Sequence, residues 1–275
     1  MKAILAALLL LPLLAQDVES KKARVGEILK AIAQAKPEAG GDKAKEAVAQ
    51  RKLMPQLEEL RKLIPEIAGP DPEKQSALFQ ELMEKYIPEE AAGQRMASNQ
   101  RNASAALMSI GTAQAEFRAY DPDGDGTANF WVADISGLHR IRAKNGKAAA
   151  LIEDQVARAD ARPALPVDAA GKLPKAESVY FHRGGAAGPY VGYSFVALAG
   201  YEGADGKTVP YDTGDGRNAA KYGICAYPAE YGKTGKLTFI KNESLNPHMW
   251  KKDTGGKPPG AFPADPGKEG WEPYD

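Results

Sequence analysis

Between residues 119 and 138 the chain reads AYDPDGDGTANFWVADISGL, in which Asp121, Asp123 and Asp125 alternate and a glycine follows each of the last two. Calcium takes six to eight hard oxygen ligands, so carboxylates at every other position on a glycine-turned loop are what such an ion requires. With Asp121 as the first position, Gly126 is the sixth, Thr127 the seventh and Asn129 the ninth, the first half of an EF-hand-type loop. The twelfth position, where a bidentate Glu belongs, is Val132, and the nearest later carboxylate is Asp134. The expected ligand set is therefore Asp121, Asp123, Asp125, the Thr127 carbonyl, Asn129 and Asp134, holding Ca2+ in a structural role. The competing reading is a solvated turn in which Asp and Gly supply left-handed backbone and local hydrogen bonds. Mutual repulsion of three uncompensated carboxylates counts against that turn.

Other chemistry is sparse. His139, His182 and His248 show no metal-ligand spacing, and the single cysteine, Cys225, can neither pair within the chain nor join a thiolate cluster. Cys225 lies among apolar residues in YGICAYPAEY and reads as a small buried hydrophobe. There is no nucleophile elbow, phosphate loop or dinucleotide fingerprint. Asp212 and Asp215 in YDTGDGRN form a carboxylate pair in principle, but their glycine-rich surroundings read as a hairpin loop. A histidine paired in space with Glu153, Asp154 or Asp160 stays open, since triads assemble in three dimensions.

The elements that must position the aspartate loop are helical before it and extended after it. From residue 17 to about 120 apolar residues recur at helical spacing, as in Val25, Ile28, Leu29 and Ile32. Pro37, Gly40 and Gly41 break the first helix, and Pro55 and Pro65 predict short or kinked pieces in the second. Asp71 and Pro72 are the N-cap and first residue of a third helix, which Pro88 closes. A fourth, over roughly 89–119, puts Ala103, Leu107, Ile110, Gln114 and Phe117 near one stripe among small residues, a central packing helix that Pro122 stops. Two shorter helices are expected at about 134–142 and 147–160, then a Pro- and Gly-rich linker. From residue 177 the runs SVYFH, YVGYSFVALAGY, YGICAYPAEY, KLTFIKN and HMWKKD predict a small antiparallel sheet. The tail is too rich in Pro and Gly for a regular element, although Phe262, Trp271 and Tyr274 can tack it to the sheet. The fold class is α+β, with N-terminal helices, one of them long, followed by the sheet.

Charge and hydropathy limit the partners. Lys plus Arg equals Asp plus Glu at 36 each among 275 residues, so no overall field recruits nucleic acid. Lys2 followed by the apolar residues 3–15 matches the charged and apolar regions of a secretory signal, and thirteen residues are too few to span a bilayer. The expected organisation is a signal over 1–15, a helical extension over 16–96 and a helix-plus-sheet domain over 97–275. The mature chain is then extracytoplasmic, with no transmembrane segment.

Residues 99–138, together with YGICAYPAEYGKTGKLTFIKNES, MWKKD and AFPADPGKEGWEPYD, resemble a family of exported bacterial proteins abundant in planctomycetes. That family is related to prepilins and pseudopilins, and the second stretch looks like the C-terminal part of a DUF2950-type domain of unknown function. The resemblance implies a long helix packed on a small antiparallel sheet, a pilin-like head, with no established enzymatic activity. The pilin processing site and its long apolar helix are missing here, so assembly into a fibre is not implied. Some pseudopilins hold calcium in a head-domain loop, which favours the Asp121–Asn129 reading by analogy. The functional expectation is a secreted or periplasmic structural or interaction protein, non-catalytic, with an envelope or cell-surface protein partner. The alternatives are an extracytoplasmic ligand- or glycan-binding module using Tyr190, Tyr193 and Tyr201, and a hydrolase without a recognisable motif.

Overall fold

The computed structural model describes residues 2–35, 43–141, 148–163, 187–246 and 248–274. The expected strand SVYFH, His182 and most of the Pro-rich linker lie outside them. The chain divides into two compact units, Met1–Arg95 and Met96–Asp275.

The first unit is helical. Helices α1 (Lys2–Ala35), α2 (Lys43–Ala68) and α3 (Pro72–Tyr86) bury Val25, Leu29, Ile64, Leu82 and Met83 in one cluster. This is the face that the apolar spacing predicts. Asp71 caps α3 as expected, accepting the Glu73 N–H at 2.9 Å, with Pro72 at the first helical position. Of the two forms expected for α2, short pieces do not occur, because the helix continues through both Pro55 and Pro65. An interior proline costs a helix about 3 kcal/mol. Packing of Leu60, Leu63, Ile64 and Ile67 against the neighbouring helices supplies the opposing term.

Helix α4 (Pro88–Tyr120) is the long packing helix, and it begins and ends within a residue of the expected span. Proline stands at its first position, where a missing N–H costs nothing. It ends where Asp121 takes a left-handed φ of 44° ahead of Pro122. In the second unit its residues Ala103, Leu107, Ile110, Ala113 and Phe117 enter the main core. The opposite layer is a five-stranded antiparallel sheet in the order β2-β6-β7-β8-β9. Its strands are β2 (Tyr193–Ala197), β6 (Gly223–Pro228), β7 (Leu237–Asn242), β8 (Met249–Asp253) and β9 (Glu272–Tyr274). Tyr193, Phe195, Phe239 and Ile240 are fully buried beneath it. Gly111 of α4 sets the close approach of helix to sheet, because a Cβ there would stand 2.3 Å from Cε of Lys241 on β7. The architecture is α+β, as the sequence predicts.

Other expectations need correction. The tail does form a regular element, because β9 pairs with β8 and packs Tyr274 against Phe239 with ring centroids 5.4 Å apart. The gain from burying Trp271 and pairing an open edge outweighs the unfavourable composition. The helices expected at 134–142 and 147–160 shrink to α5 (Gly137–Arg140) and α6 (Asp154–Arg158). Two short antiparallel ribbons complete the unit: β1 (Phe130–Trp131) with β5 (Arg217–Asn218), and β3 (Gly200–Glu202) with β4 (Thr208–Pro210).

Candidate metal centre

The site begins where α4 ends. The left-handed turn at Asp121 sends its carboxylate over the following loop, where Oδ1 accepts the Gly124 N–H at 3.1 Å and Oδ2 the Gly126 N–H at 3.2 Å. Gly124 and Gly126 take φ values of 78° and 81°, the conformation for which glycine is suited. Asp125 accepts the Thr127 N–H at 2.7 Å and the Asn129 amide at 2.9 Å. Carboxylate oxygens of Asp121, Asp123 and Asp125 thereby converge within 4.8 Å of one another. At an effective dielectric near 20, each such pair repels by about 3 kcal/mol.

The loop's exit is clamped to the helix that precedes it. Gln114, buried on α4, accepts the Trp131 N–H at 3.0 Å and donates to the Trp131 carbonyl at 2.5 Å. Strand β1 then pairs with β5, Trp131 opposite Arg217. This pairing brings a second aspartate turn against the first. Asp212 accepts the N–H groups of Gly214 and Gly216, and Asp215 accepts that of Arg217 at 3.0 Å. So held, the Arg217 guanidinium reaches Asp123 Oδ2 through Nη2 at 2.7 Å and Asp125 Oδ2 through Nε at 3.1 Å. It also lies over the Trp131 ring, 5.8 Å from the centroid.

Asp123 and Asp125 share the one Arg217 guanidinium, so these two carboxylates carry more negative charge than the arginine returns. The Asp123 side chain is only 5% exposed, and its Oδ1 is buried with no hydrogen-bond partner. Asn129, also 5% exposed, leaves Oδ1 buried and unpartnered while its amide nitrogen touches Asp125. A buried oxygen without a donor costs roughly 1–3 kcal/mol. Burial, the leading cause, raises the Asp123 carboxyl above its ordinary range, Arg217 opposes that, and Asp125 and Asp121 reinforce it. The cluster thus favours taking up positive charge. Its donors are all hard oxygens, which suit calcium or magnesium and not a thiolate-seeking metal.

The sequence-predicted set is brought together in part. Asp121, Asp123 and Asp125 converge, while Thr127 and Asn129 meet Asp125 through N–H groups rather than through the expected oxygens. Asp134 is a correction. Its Oδ1 accepts from the Trp131 indole at 2.8 Å and the Gly137 N–H at 2.7 Å, and its Oδ2 from Ser136 Oγ and Arg140. It caps α5 and is spent on that task. Its neighbour Asp160 accepts the N–H groups of Ile135 and Ser136, each at 2.8 Å. Arg217 was missed, since its partners are more than ninety positions upstream, and only the turn YDTGDGRN marks its neighbourhood.

The remaining candidates sort as follows. Tyr193 is fully buried with its hydroxyl on the Leu237 carbonyl at 2.8 Å, so it is a core residue and not a ligand platform. Tyr190 and Tyr201 are half-buried. Cys225 is buried, and burial pushes its thiol well up, which leaves it inert. His139 holds the Ile152 carbonyl at 2.7 Å through Nδ1.

No curated protein and no solved structure matches the chain, so the pilin-like half of the expected resemblance finds no relative behind it. A family model does match, over residues 83–263, which is more than half of the 275-residue chain and takes in both aspartate turns. Its description is a protein of unknown function, and the chain belongs to this family, DUF2950.

Proposed function

We propose that this protein is an extracytoplasmic, non-catalytic structural or interaction protein whose helix-on-sheet unit is locked by one calcium ion. The observation that carries this reading is the convergence of three carboxylates within 4.8 Å, two of them sharing one guanidinium, with Asp123 Oδ1 buried and without a donor. A divalent cation would offset the carboxylate charge and give Asp123 Oδ1 a partner. Asp121, Asp123, Asp125 and Asn129 would hold it, water completing the six to eight ligands calcium takes. The ion's contribution would be to fix the turn between α4 and β1, hence the register of helix on sheet. Calcium outside the cytoplasm is abundant enough to fill even a site of millimolar affinity.

The apolar segment at residues 3–15 supports export. No described helix is long and apolar enough to cross a membrane. The envelope or cell-surface partner follows from that address and from the lack of a reaction motif. A pilin-like head is a comparison of layout only, one long helix on an antiparallel sheet, and carries no role in a fibre.

Thermal unfolding with and without calcium tests the reading. With free calcium tenfold above Kd the gain is about 1.4 kcal/mol. For a unit of this size that corresponds to roughly 3–6 °C in Tm. The shift should reverse with chelator and vanish in the Asp123→Ala, Asp125→Ala double variant. An unchanged Tm at millimolar calcium would refute the proposal.

A further inference from the structure

A second polar depression lies on the sheet unit, outside the aspartate turns. It encloses about 250 Å³ between the end of the β3–β4 ribbon, the β7–β8 turn and the loop before β9. Trp250 on β8 lines it and is half-buried, leaving part of its indole open to the cavity. The same cavity is lined by Asn242, Asn246, Glu202, Glu243 and Lys221.

The lining is built in advance. Tyr201 pairs with Phe262 of the incoming loop, whose N–H donates to the Gly200 carbonyl at 2.8 Å and whose carbonyl accepts the Glu202 N–H at 2.9 Å. The Tyr201 ring lies against Tyr211, centroids 5.4 Å apart, and carries Lys221 Nζ 3.8 Å above its own centroid. Tyr201 is therefore not free to stack on a ligand; it holds the ammonium at the rim. In the β7–β8 turn, Ser244 donates its N–H to Asn242 Oδ1 at 3.0 Å and its hydroxyl to the Asn246 carbonyl at 3.2 Å. The Asn246 side chain makes no hydrogen bond among the described residues and is exposed. Pro263 and Pro266 stiffen the opposite wall.

We infer that this depression is a saccharide-binding site, taking one pyranose ring of a neutral chain on Trp250 with Asn242, Asn246, Glu243 and Lys221 as hydroxyl partners. A pyranose has one face of C–H groups and an equator of hydroxyls. It needs an aromatic side chain to pack against and mixed donors and acceptors around the edge, residue types that Trp250, Asn242, Asn246, Glu243 and Lys221 bring to this lining. Charge argues against an ionic ligand. One ammonium faces two carboxylates across the rim, so an anion meets Glu202 and Glu243, and a polyamine meets Lys221. The volume falls below the ~300–1,000 Å³ of sites for drug-sized molecules. That suits a single ring of a chain whose remainder lies in solvent.

Tryptophan fluorescence of the full chain tests this, because Trp131 and Trp271 are buried and Trp250 dominates the ligand-dependent signal. Cellotetraose and chitotetraose, both flat β-linked chains, are the probes. At least one should give a saturable emission shift below about 10 mM. Asn246→Ala should weaken it roughly tenfold, and isothermal titration, which does not depend on the Trp250 fluorophore, should show no binding in Trp250→Leu, with far-UV circular dichroism unchanged. If Trp250→Leu fails to fold, Asn246→Ala on its exposed turn decides. No saturable response to either probe, or an affinity unchanged in Asn246→Ala, would overturn the assignment, as would binding of an oligolysine peptide in their place. The response should persist in the Asp123→Ala, Asp125→Ala variant, which separates this site from the calcium site.

Discussion

Arg217 and Asp123 stand 94 positions apart in sequence and meet in a two-pronged ion pair, with Nε and Nη2 at 2.8 and 2.7 Å from Asp123 Oδ2. Both side chains are largely buried, 13% and 5% exposed. Breaking a buried pair by removing one partner costs about 3–5 kcal/mol, since the other charge is left uncompensated. Arg217→Gln should therefore lower stability by an amount near the bottom of that range, given that Arg217 is not fully enclosed. It should also enlarge the calcium-induced Tm shift, because Asp123 and Asp125 then lose the guanidinium they share. Paired melting curves with and without calcium check both effects, and a variant that loses stability without gaining calcium response would show that Arg217 serves packing only.

The clamp between α4 and β1 is a separate prediction. Gln114→Leu leaves the buried N–H and carbonyl of Trp131 without partners. Two such groups together cost roughly 2–6 kcal/mol. Urea unfolding should show that loss as a lower midpoint with an unchanged slope. The calcium shift should also shrink, since the loop's exit is no longer fixed.

Asp160 gives the pH dependence. Burial first, and the nearby Asp134 second, raise its carboxyl above the ordinary value, against the N–H groups of Ser136, Arg162 and Ile135 that lower it. As pH falls through that raised value, the folded chain takes up a proton that the unfolded chain does not. The Asp160 contribution to stability is therefore fully present below the unfolded value of about 3.8 and is lost as pH rises through the folded one. The wild type should gain stability relative to Asp160→Asn as the solution is acidified. A Tm difference between the two that does not change with pH would contradict this.

These residues also show what the sequence makes legible. The helical stripe of α4, the Asp71–Pro72 start of α3 and the aromatic and β-branched runs of β2, β6, β7 and β8 are local patterns, and each is found where the sequence predicts. The Asp121–Asp125 convergence is legible too, because alternation and glycine act over a few residues. What escapes is set by tertiary pairing. Arg217 enters the site only because β5 aligns with β1, and β9 forms only because β8 offers it an open edge. Asp134 is close enough in sequence to be counted as a ligand, yet the indole of Trp131 and the start of α5 claim it first.

Isothermal titration of the full chain with calcium tests the central claim most directly. One equivalent of ion should bind with a Kd in the range ~10⁻⁵–10⁻³ M, where sensor and extracellular sites lie, and the heat should disappear in Asp123→Asn, Asp125→Asn. A flat titration in the wild type, or an isotherm that survives the double substitution, would contradict a calcium ion at the junction of α4 and β1.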